Sequence, residues 1–309
     1  APAPQRSPMP IDLRDKPIAI TGGGTGIGLW TAIECARAGM PVAISGRRED
    51  KLREAADLIR REAAATAARG SPPARVLTMP LNVTDARACE AFVARAIAEF
   101  GSLYAVLANA GYGVERSVLR ADDAMLRDMF ETNFWGSLNV VRPAAAHMLS
   151  RPRPGGVGAG DPPPRGHVLF TSSCLAKIGV PFYACYCATK AAQDYFGRAM
   201  RLELEPAGVK VSTVHPIGTK TEFFDKAGER SGPGGTKLVN ATDERFMQHP
   251  RVVARAIVRC LQRPRGEVWT STPMRLALGA CVMFPSIADA LLRVRLAGKV
   301  RSDPTLLER

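Results

Sequence analysis

Short runs of apolar, mostly β-branched residues alternate along this chain with longer segments in which apolar residues recur every three or four positions. The short runs predict strands, and the longer segments predict helices. Regular alternation of the two indicates a parallel sheet covered by helices on both faces. The predicted strands are 17–21, 41–45, 75–81, 104–108, 167–172, 209–214 and 266–270, and the predicted helices lie near 26–38, 49–69, 86–100, 122–149, 185–205 and 250–262.

The same pattern divides the chain into three segments. Residues 1–15 predict a disordered lead-in, and residues 16–272 predict a single doubly wound α/β domain with about seven strands. Residues 273–309 predict a C-terminal helical extension. Two stretches rich in glycine and proline, 151–165 and 228–236, predict surface loops.

Composition narrows the class of protein. The 309 residues are 46% hydrophobic and 23% charged, which is typical of a soluble globular protein. No apolar run reaches the roughly 18–20 residues of a membrane span, and the N-terminus lacks the apolar stretch of a signal peptide. The seven cysteines and four histidines lack metal-ligand spacing. We therefore expect a cytoplasmic protein with reduced thiols and no metal site.

The net charge is +13, and its basic residues are concentrated towards the C-terminus. Such charge suits nucleic acid or an anionic membrane surface. It also suits a solvated helix face, because Arg251, Arg255 and Arg259 recur every four residues opposite an apolar stripe. We favour the solvated face, so no nucleic-acid partner is expected.

The C-terminal extension is more apolar over 274–300 than an exposed tail requires. Pro285 breaks this segment and Asp289 lies inside it, so a single membrane-spanning helix is not expected. Three interpretations remain: a lid over an apolar substrate pocket, a dimer contact, or a peripheral membrane contact through the basic side chains of Arg293, Arg295 and Lys299. We favour the lid.

A glycine-rich loop follows the first predicted strand, in the sequence 21-TGGGTGIG-28. Gly22, Gly26 and Gly28 fit the spacing T-G-x-x-x-G-x-G, whereas Leu29 excludes G-x-G-x-x-G. Such a loop lets backbone N–H groups approach a pyrophosphate at the N-terminus of the next helix. The sequence therefore predicts a dinucleotide site at this edge of the sheet.

The second predicted strand ends in 45-SGRRED-50, where a chain that binds NAD(H) commonly places an acidic residue. Here Gly46 takes that position and is followed by Arg47 and Arg48. A guanidinium at this place can bind a 2′-phosphate. The sequence favours NADP(H) over NAD(H), although both arginines also suit the exposed start of a helix.

Four polar residues are predicted to meet at the carboxyl edge of the sheet. Ser173 ends a strand, and Tyr186 and Lys190 lie four residues apart on one helix face, while Asn133 lies on a neighbouring helix. Hydride transfer to a ketone builds alkoxide charge that needs a proton. A tyrosine whose pKa is lowered by a nearby ammonium supplies that proton, and a serine hydroxyl holds the carbonyl oxygen.

These segments, together with 108-ANAG-111, resemble the signature set of the short-chain dehydrogenase/reductase family, in order and spacing, over about residues 16–270. The resemblance implies a Rossmann-type domain, catalysis by Tyr186 with Ser173 orienting substrate, and Lys190 as an anchor for the nicotinamide ribose. It also implies a water-filled proton relay at the backbone of Asn133, and a homodimer or homotetramer. The implied dinucleotide contacts are Gly22, Thr25, Gly26, Ile27, Gly28, Arg47, Arg48, Asn82, Val83, Asn109, Ala110, Gly111, Tyr186, Lys190, Pro216, Thr219 and Thr221.

Two positions depart from the pattern of that family. Asn82 stands where the family often has an aspartate that contacts adenine, and Ile217 stands in the place of a glycine after the sixth strand. We expect a weakened adenine preference from the first and altered cofactor positioning from the second.

The sequence thus predicts an NAD(P)(H)-dependent oxidoreductase that interconverts a ketone or aldehyde with an alcohol. The apolar extension favours a sizeable apolar substrate such as a steroid, a retinoid or a lipid ketone. The alternatives are a 3-oxoacyl-carrier reductase, whose acidic carrier a basic surface would suit, and a non-catalytic protein that binds a dinucleotide or nucleic acid.

Overall fold

The computed structural model describes residues 9–68, 72–153, 163–231 and 247–301. Seven parallel strands form one sheet in the order β3-β2-β1-β4-β5-β6-β7. The predicted doubly wound α/β fold is confirmed, because the strand order reverses after β1 and places β4 on its other side. The strands are β1 Ile18–Thr21, β2 Val42–Gly46, β3 Val76–Pro80, β4 Ala105–Ala108, β5 Gly166–Thr171, β6 Val209–His215 and β7 Glu267–Trp269.

Helices cover both faces of the sheet, as the strand pattern predicts. Helices α1, α2 and α8 bury their apolar sides on one face, and α3, α5 and α6 bury theirs on the other. Each face therefore carries its own apolar layer. The helices are α1 Gly26–Arg37, α2 Glu49–Ala64, α3 Ala86–Phe100, α4 Asp123–Phe130, α5 Gly136–Ser150, α6 Ala184–Leu204, α7 Glu222–Ser231, α8 Pro250–Gln262, α9 Thr272–Met283 and α10 Pro285–Arg301.

The single helix predicted over 122–149 is divided in the structure. A π-helical turn, Glu131–Trp135, separates α4 from α5. Inside this turn, the backbone carbonyl of Asn133 accepts hydrogen bonds from the side chains of Ser137 and Gln193. The interruption follows from these side-chain contacts, which the apolar periodicity of the segment does not reveal.

The two predicted loops fall partly outside the described residues. Residues 154–162 and 232–246 are not described, so the loop prediction for 151–165 stays a prediction over most of its length. The loop predicted over 228–236 is wrong at its start, because α7 continues to Ser231. The hydroxyl of Ser231 accepts a hydrogen bond from the backbone of Glu115 and donates one to Ala227 O, which fixes the end of the helix.

The N-terminal and C-terminal segments of the described chain contact the domain in different ways. Residues 1–8 and 302–309 lie outside the described residues. Within the predicted lead-in, the backbone of Ile11 bonds to Gln262, and Leu13 is buried against the core. The ordered chain therefore begins before residue 16, because Leu13 has apolar surface to bury. At the other end, α9 and α10 form the predicted helical extension.

No single helix among the described residues has both the length and the hydropathy needed to cross a membrane. The pair formed by Thr272–Met283 and Pro285–Val294 meets the criterion jointly, although the two parts are bent by 113°.

Candidate active site

The glycine loop makes the sharp turn that a phosphate-binding site requires. Gly22 and Gly26 have positive φ values of 64° and 55°, which favour glycine. A Cβ on Gly28 would overlap the carbonyl oxygen of Gly22, so the loop closes tightly on itself. Thr25 precedes α1 with extended backbone and makes no side-chain cap hydrogen bond. The first turn of α1, which includes Ile27, thus offers its N–H groups to an anion.

Asn109 braces this loop from the end of β4. Its Nδ2 donates to Thr21 O at 3.0 Å and to Gly22 O at 3.3 Å. The backbone N–H groups of Asn109 and Ala110 both donate to Thr21 Oγ1, at 3.0 and 3.1 Å. Gly111 follows, where a Cβ would lie 2.9 Å from Asn133 Oδ1 and 3.6 Å from Lys190 Nζ. This stretch links the glycine loop to the polar cluster.

The predicted adenosine-side residues lie at the ends of β2 and β3. Arg47 and Arg48 are exposed, and Arg48 Nη2 lies 2.7 Å from Glu222 Oε2 at the start of α7. Asn82 is exposed, and its Oδ1 accepts a hydrogen bond from the backbone of Thr84. Val83 is buried, with its carbonyl bound by the side chain of Asn139 at 3.0 Å.

The segment after β6 lies between the glycine loop and Ser173. Pro216 O accepts a hydrogen bond from Cys174 N at 3.0 Å, and Ile217 N donates to Thr270 Oγ1 at 3.4 Å. Thr219 is buried and accepts from Gln248 Nε2 at 3.1 Å. The methyl group of Thr221 lies 3.1 Å from where a Cβ on Gly26 would stand, so this segment closes over the glycine loop.

Ser173, Tyr186 and Lys190 come together at the carboxyl ends of β4 and β5. The Ser173 hydroxyl acts on the Tyr186 phenol in the direction that lowers its pKa, and Lys190 Nζ lies 5.7 Å from the centre of the Tyr186 ring. Lys190 Nζ donates to Thr171 O at 2.8 Å and to Gln193 Oε1 at 2.9 Å. The structure therefore assembles the predicted side chains at one edge of the sheet.

The pKa directions differ from the expectation for a phenol acidified by lysine. Burial raises the pKa of Tyr186, and the hydrogen bond with Ser173 opposes that rise only in part. Burial also lowers the pKa of Lys190 to about 7. The expected lowering of the tyrosine pKa is therefore not found, because Tyr186 is buried and Lys190 is itself desolvated and bonds to other groups.

Asn133 is completely buried, and its side chain makes three hydrogen bonds. Its Oδ1 accepts from Tyr112 N at 2.9 Å, while Nδ2 donates to Tyr112 O at 2.9 Å and to Thr189 Oγ1 at 3.0 Å. Its backbone carbonyl accepts from Gln193 Nε2 at 2.7 Å and from Ser137 Oγ at 2.6 Å. Side chains thus occupy the carbonyl at which the resemblance implies water.

A charged cluster lies behind the Ser173 turn. His215 is buried, with Nδ1 at 3.1 Å from Ser173 O and Nε2 at 3.2 Å from Asp194 Oδ1. Lys177 Nζ lies 2.6 Å from Asp194 and 3.1 Å from Glu267. Potential ligand atoms of Asp194, His215 and Glu267 lie within 4.8 Å of one another. The Lys177 ammonium forms ion pairs with both carboxylates, and the expectation of no metal site stays a prediction.

Apolar side chains surround Tyr186 on its open side. Phe223 of α7 packs with its ring centre 5.4 Å from that of Tyr186, and Tyr183 lies at 6.2 Å. The cluster also includes Val114, Met129, Phe182 and Cys187. Burial raises the pKa of the Cys187 thiol, which fits a packing role for this cysteine. The arrangement can hold a polar carbonyl at Ser173 and Tyr186 against an apolar wall.

Comparison with known proteins agrees with this geometry. A family model described as short chain dehydrogenase matches residues 16–232. The chain belongs to the short-chain dehydrogenase family. Membership confirms the resemblance and establishes the protein as an oxidoreductase of a family that uses a nicotinamide dinucleotide.

Curated relatives of this short-chain dehydrogenase include three reductases or oxidoreductases. The chain is 26% identical over 304 residues to the 3-ketodihydrosphingosine reductase of Bos taurus, covering 97% of this chain and 85% of that protein. It is 28% identical over 256 residues to the putative oxidoreductase SadH of Mycobacterium tuberculosis, covering 82% and 85%. Identity to the probable oxidoreductase EphD of the same species is 32% over 204 residues, or 65% of this chain but only 31% of EphD.

Solved structures of low identity confirm the fold alone. A short chain dehydrogenase/reductase from Burkholderia phymatum in complex with NAD matches with a TM-score of 0.73 and 20% identity, over 87% of this chain and 93% of that one. An alcohol dehydrogenase from Thermococcus sibiricus complexed with 5-hydroxy-NADP matches with a TM-score of 0.65 and 24% identity, over 82% and 95%.

Sequence reasoning missed several residues of this site. Gln193 lies one turn beyond Lys190, so its place on the same helix face was a usable signal. The contact between Phe223 and Tyr186 had no such signal, because α7 was not predicted. His215 and Lys177 meet Asp194 only through tertiary packing, and the sequence separation hides that contact.

Proposed function

We propose that the protein interconverts a sizeable apolar ketone or aldehyde and the corresponding alcohol, with NADP(H) as the hydride carrier. The observation that carries the proposal is the apolar wall around Tyr186, formed by the cluster that includes Phe223, Phe182 and Met129. A wall of this kind suits a steroid, a retinoid or a lipid chain beside the reacting carbonyl. Similarity to a 3-ketodihydrosphingosine reductase over 97% of the chain supports a lipid-like ketone.

The side chains would divide the chemistry as follows. A bound dinucleotide supplies or accepts the hydride. Tyr186 gives its proton to the carbonyl oxygen, and the Ser173 hydroxyl donates a hydrogen bond to the same oxygen. Burial keeps Tyr186 protonated at neutral pH, which is the form needed for reduction. Lys190 makes two hydrogen bonds to protein groups, so a third N–H of its ammonium would be available to the nicotinamide ribose.

The proposed cofactor site includes the glycine loop, the loops that follow β2 and β3, and the segment after β6. The fit rests on the positive φ values of Gly22 and Gly26, and on the first turn of α1, which suits a pyrophosphate. Arg47 and Arg48 at the end of β2 would bind a 2′-phosphate, which is the basis for favouring NADP(H). Asn82 would contact adenine, and Thr219 and Thr221 would lie beside the nicotinamide.

Assembly into a homodimer or homotetramer is part of the proposal. Large aromatic and aliphatic side chains are exposed on α6 and on the π-helical turn: Trp135, Tyr195, Phe196 and Leu202. An interface between two copies would bury this apolar surface. Light scattering that returns the 33.1 kDa mass of one chain at micromolar concentration would contradict it.

The C-terminal extension is proposed as a peripheral membrane contact of a cytoplasmic protein. Helix α9 packs beside the turn Cys174–Lys177, close to Ser173. The aromatic ring that covers Tyr186 comes from α7, as Phe223, whereas the apolar side chains of α9 and α10 face largely outward. This placement favours a surface contact over the lid that the sequence favoured.

A substrate screen tests the proposed reaction. Ketones and alcohols of graded size are assayed with NADPH and with NADH, alongside acyl-carrier thioesters. We expect bulky apolar ketones to be turned over best, with NADPH preferred. Small polar sugars that react faster would contradict the apolar site, and a preference for carrier thioesters would favour the 3-oxoacyl-carrier reductase instead.

Replacing the proton donor separates an enzyme from a non-catalytic binding protein. Tyr186→Phe removes the hydroxyl and keeps the ring against Phe223, so we expect turnover to fall about a thousandfold, with NADPH still bound. Tyr195→Phe, on the exposed side of the same helix, is the matched control and should keep its turnover. Equal turnover in the two variants would remove Tyr186 from the mechanism.

A further inference from the structure

A buried amide joins Lys190 to the backbone of Asn133. Gln193 Oε1 accepts from Lys190 Nζ at 2.9 Å, and Gln193 Nε2 donates to Asn133 O at 2.7 Å and to Ser137 Oγ at 2.6 Å. The side chain is 1% exposed, so its polar atoms depend on these partners. The Gln193 amide is therefore a fixed member of the hydrogen-bond network around Lys190.

The fold holds this bridge from two directions. Lys190 and Gln193 lie three residues apart on α6, so both project towards the same side of the helix. Asn133 lies on the π-helical turn before α5, and its carbonyl points to α6, where it receives Gln193. Two independent elements thus fix the two ends of one side chain.

We propose that Gln193 is a positioning residue that holds Lys190 through a neutral bridge to the backbone of Asn133. The inference rests on the proposed function, because it concerns the lysine of that site. An amide donates and accepts hydrogen bonds but does not gain or lose a proton near neutral pH.

The bridge also restricts where the ammonium can point. An ammonium has three N–H donors. Thr171 O and Gln193 Oε1 accept two of them, and the third has no acceptor among the described residues. Lys190 Nζ lies 5.7 Å from the centre of the Tyr186 ring and 3.6 Å from where a Cβ on Gly111 would stand, so both residues lie beside the ammonium. Gln193 thereby orients the charge of Lys190 towards the place where the ribose and the phenol would meet.

The groups around Lys190 make its charge sensitive to this bridge. The titratable side chains within about one turn of Lys190 on α6 are Tyr186, Cys187 and Asp194. The groups presented by β5, the loop after β4 and the π-helical turn are neutral, namely those of Thr171, Gly111 and Asn133. Burial lowers the pKa of Lys190 to about 7. An acceptor bound to the ammonium opposes that fall, so losing the acceptor lowers the pKa further.

The test measures the pKa of Lys190 directly and needs no substrate. In protein carrying ¹³C-labelled lysine, the Cε signal of Lys190 is assigned with Lys190→Met and followed against pH by NMR. Gln193→Met keeps the length and packing of the side chain but accepts no hydrogen bond from the lysine comparable to that of an amide. We expect the pKa of Lys190 to fall by about one unit in this variant, while Gln262→Met on α8 leaves it unchanged.

A second variant keeps the inference testable if Gln193→Met does not fold. Gln193→Glu retains an acceptor for Lys190 and adds a negative charge, so the pKa of Lys190 should rise. The same variant has no N–H for the Asn133 carbonyl. A folded Gln193→Met protein, or a folded Gln193→Glu protein, in which the pKa of Lys190 stays within about 0.2 units of its original value would overturn the proposal.

The outcome for this bridge is separable from the outcome for the proposed function. If the pKa of Lys190 shifts as expected but no ketone is turned over, the positioning role stands and the proposed reaction fails. If turnover is found, Gln193→Met should lower kcat about tenfold, because Lys190 loses both charge and direction, with little change in KM. Unchanged kcat together with an unchanged pKa would reduce Gln193 to a packing residue.

Discussion

Arg48 is a residue at which we propose that a 2′-phosphate binds, and its guanidinium already pairs with a carboxylate. Glu222 Oε2 lies 2.7 Å from Arg48 Nη2 and 3.0 Å from Lys226 Nζ. A cofactor phosphate would have to replace this carboxylate or lie beside it, and like charges repel. Glu222 begins α7, and the next residue of that helix, Phe223, packs over Tyr186. Glu222 therefore lies between the proposed phosphate site and the side chain that covers Tyr186.

Glu222→Gln tests this competition at the level of one side chain. Removing the carboxylate frees Arg48 for the phosphate, so we expect NADPH to bind about threefold to tenfold more tightly while NADH is unaffected. Binding is measured by the fluorescence of the reduced cofactors. Glu54→Gln, which breaks the exposed pair with Lys51, is the control and should change neither affinity. An equal gain for both cofactors would contradict a phosphate site at Arg48.

Residue types and spacing on a single helix were enough to predict that Tyr186 and Lys190 lie on one face of α6. Lys190 lies one turn from the tyrosine, and the strand end before α6 supplies Ser173, so local order places all three. Gln193 shares that helix face, but its second partner is a backbone carbonyl 60 residues earlier in the chain. No residue pattern shows which backbone carbonyl a distant fold will present, which is why the bridge could not be predicted.

The charged cluster behind Ser173 ties several elements together. Lys177 belongs to the turn after β5, Asp194 to α6, and His215 and Glu267 to the ends of β6 and β7. Burial opposes ionisation of Asp194, but hydrogen bonds from His215 and Lys177 hold the pKa of its carboxyl well below the usual range. These elements are therefore joined by charge as well as by apolar packing.

Lys177→Met tests how much this ion cluster stabilises the fold. The change leaves the buried carboxylate of Asp194 without its ammonium, so we expect the free energy of unfolding to fall by about 2–3 kcal/mol at neutral pH. Urea unfolding followed by circular dichroism measures it. Lys51→Met removes an exposed partner of Glu54 and should change stability by less than about 1 kcal/mol.

The pH dependence of that difference has a definite sign. The folded-state pKa of Asp194 is lowered, so the pair contributes stability above the unfolded pKa of about 3.9, and that contribution is lost as the pH falls towards the folded value. The gap between the original protein and Lys177→Met should therefore shrink below about pH 4. A gap that stays constant down to pH 3 would show that the ion pair does not carry the effect.

At the level of elements, the strands were predictable because they are apolar over nearly their whole length. All seven predicted strands overlap the observed ones. Helix α7 was not predicted, since Gly228 and the polar residues that follow hide its periodicity. The π-helical turn was missed for another reason, because its hydrogen bonds run to side chains of other turns and of α6.

Over the whole molecule, charge and apolar surface are unevenly distributed. The chain carries a net charge of +13. The exposed apolar side chains of α9, α10 and the residue between them include Leu276, Val282, Phe284, Ile287 and Leu291. The exposed apolar side chains of this bent helix pair suit the edge of the acyl region of a membrane, and the positive net charge of the protein suits anionic headgroups. A lipid-like substrate would be taken up from the same place.

Vesicle flotation tests this contact on the full chain. We expect the protein to float with phosphatidylcholine vesicles that contain about a quarter phosphatidylserine, and to bind less well at high salt. The triple change Leu276→Ser, Phe284→Ser and Ile287→Ser removes three exposed apolar side chains, so binding should fall at least about tenfold. Leu119→Ser, at an exposed leucine outside the extension, is the matched control. If the triple variant floats as well as the original protein, the extension is not the membrane surface, and a changed mass in light scattering would instead assign it to contact between two copies of the chain.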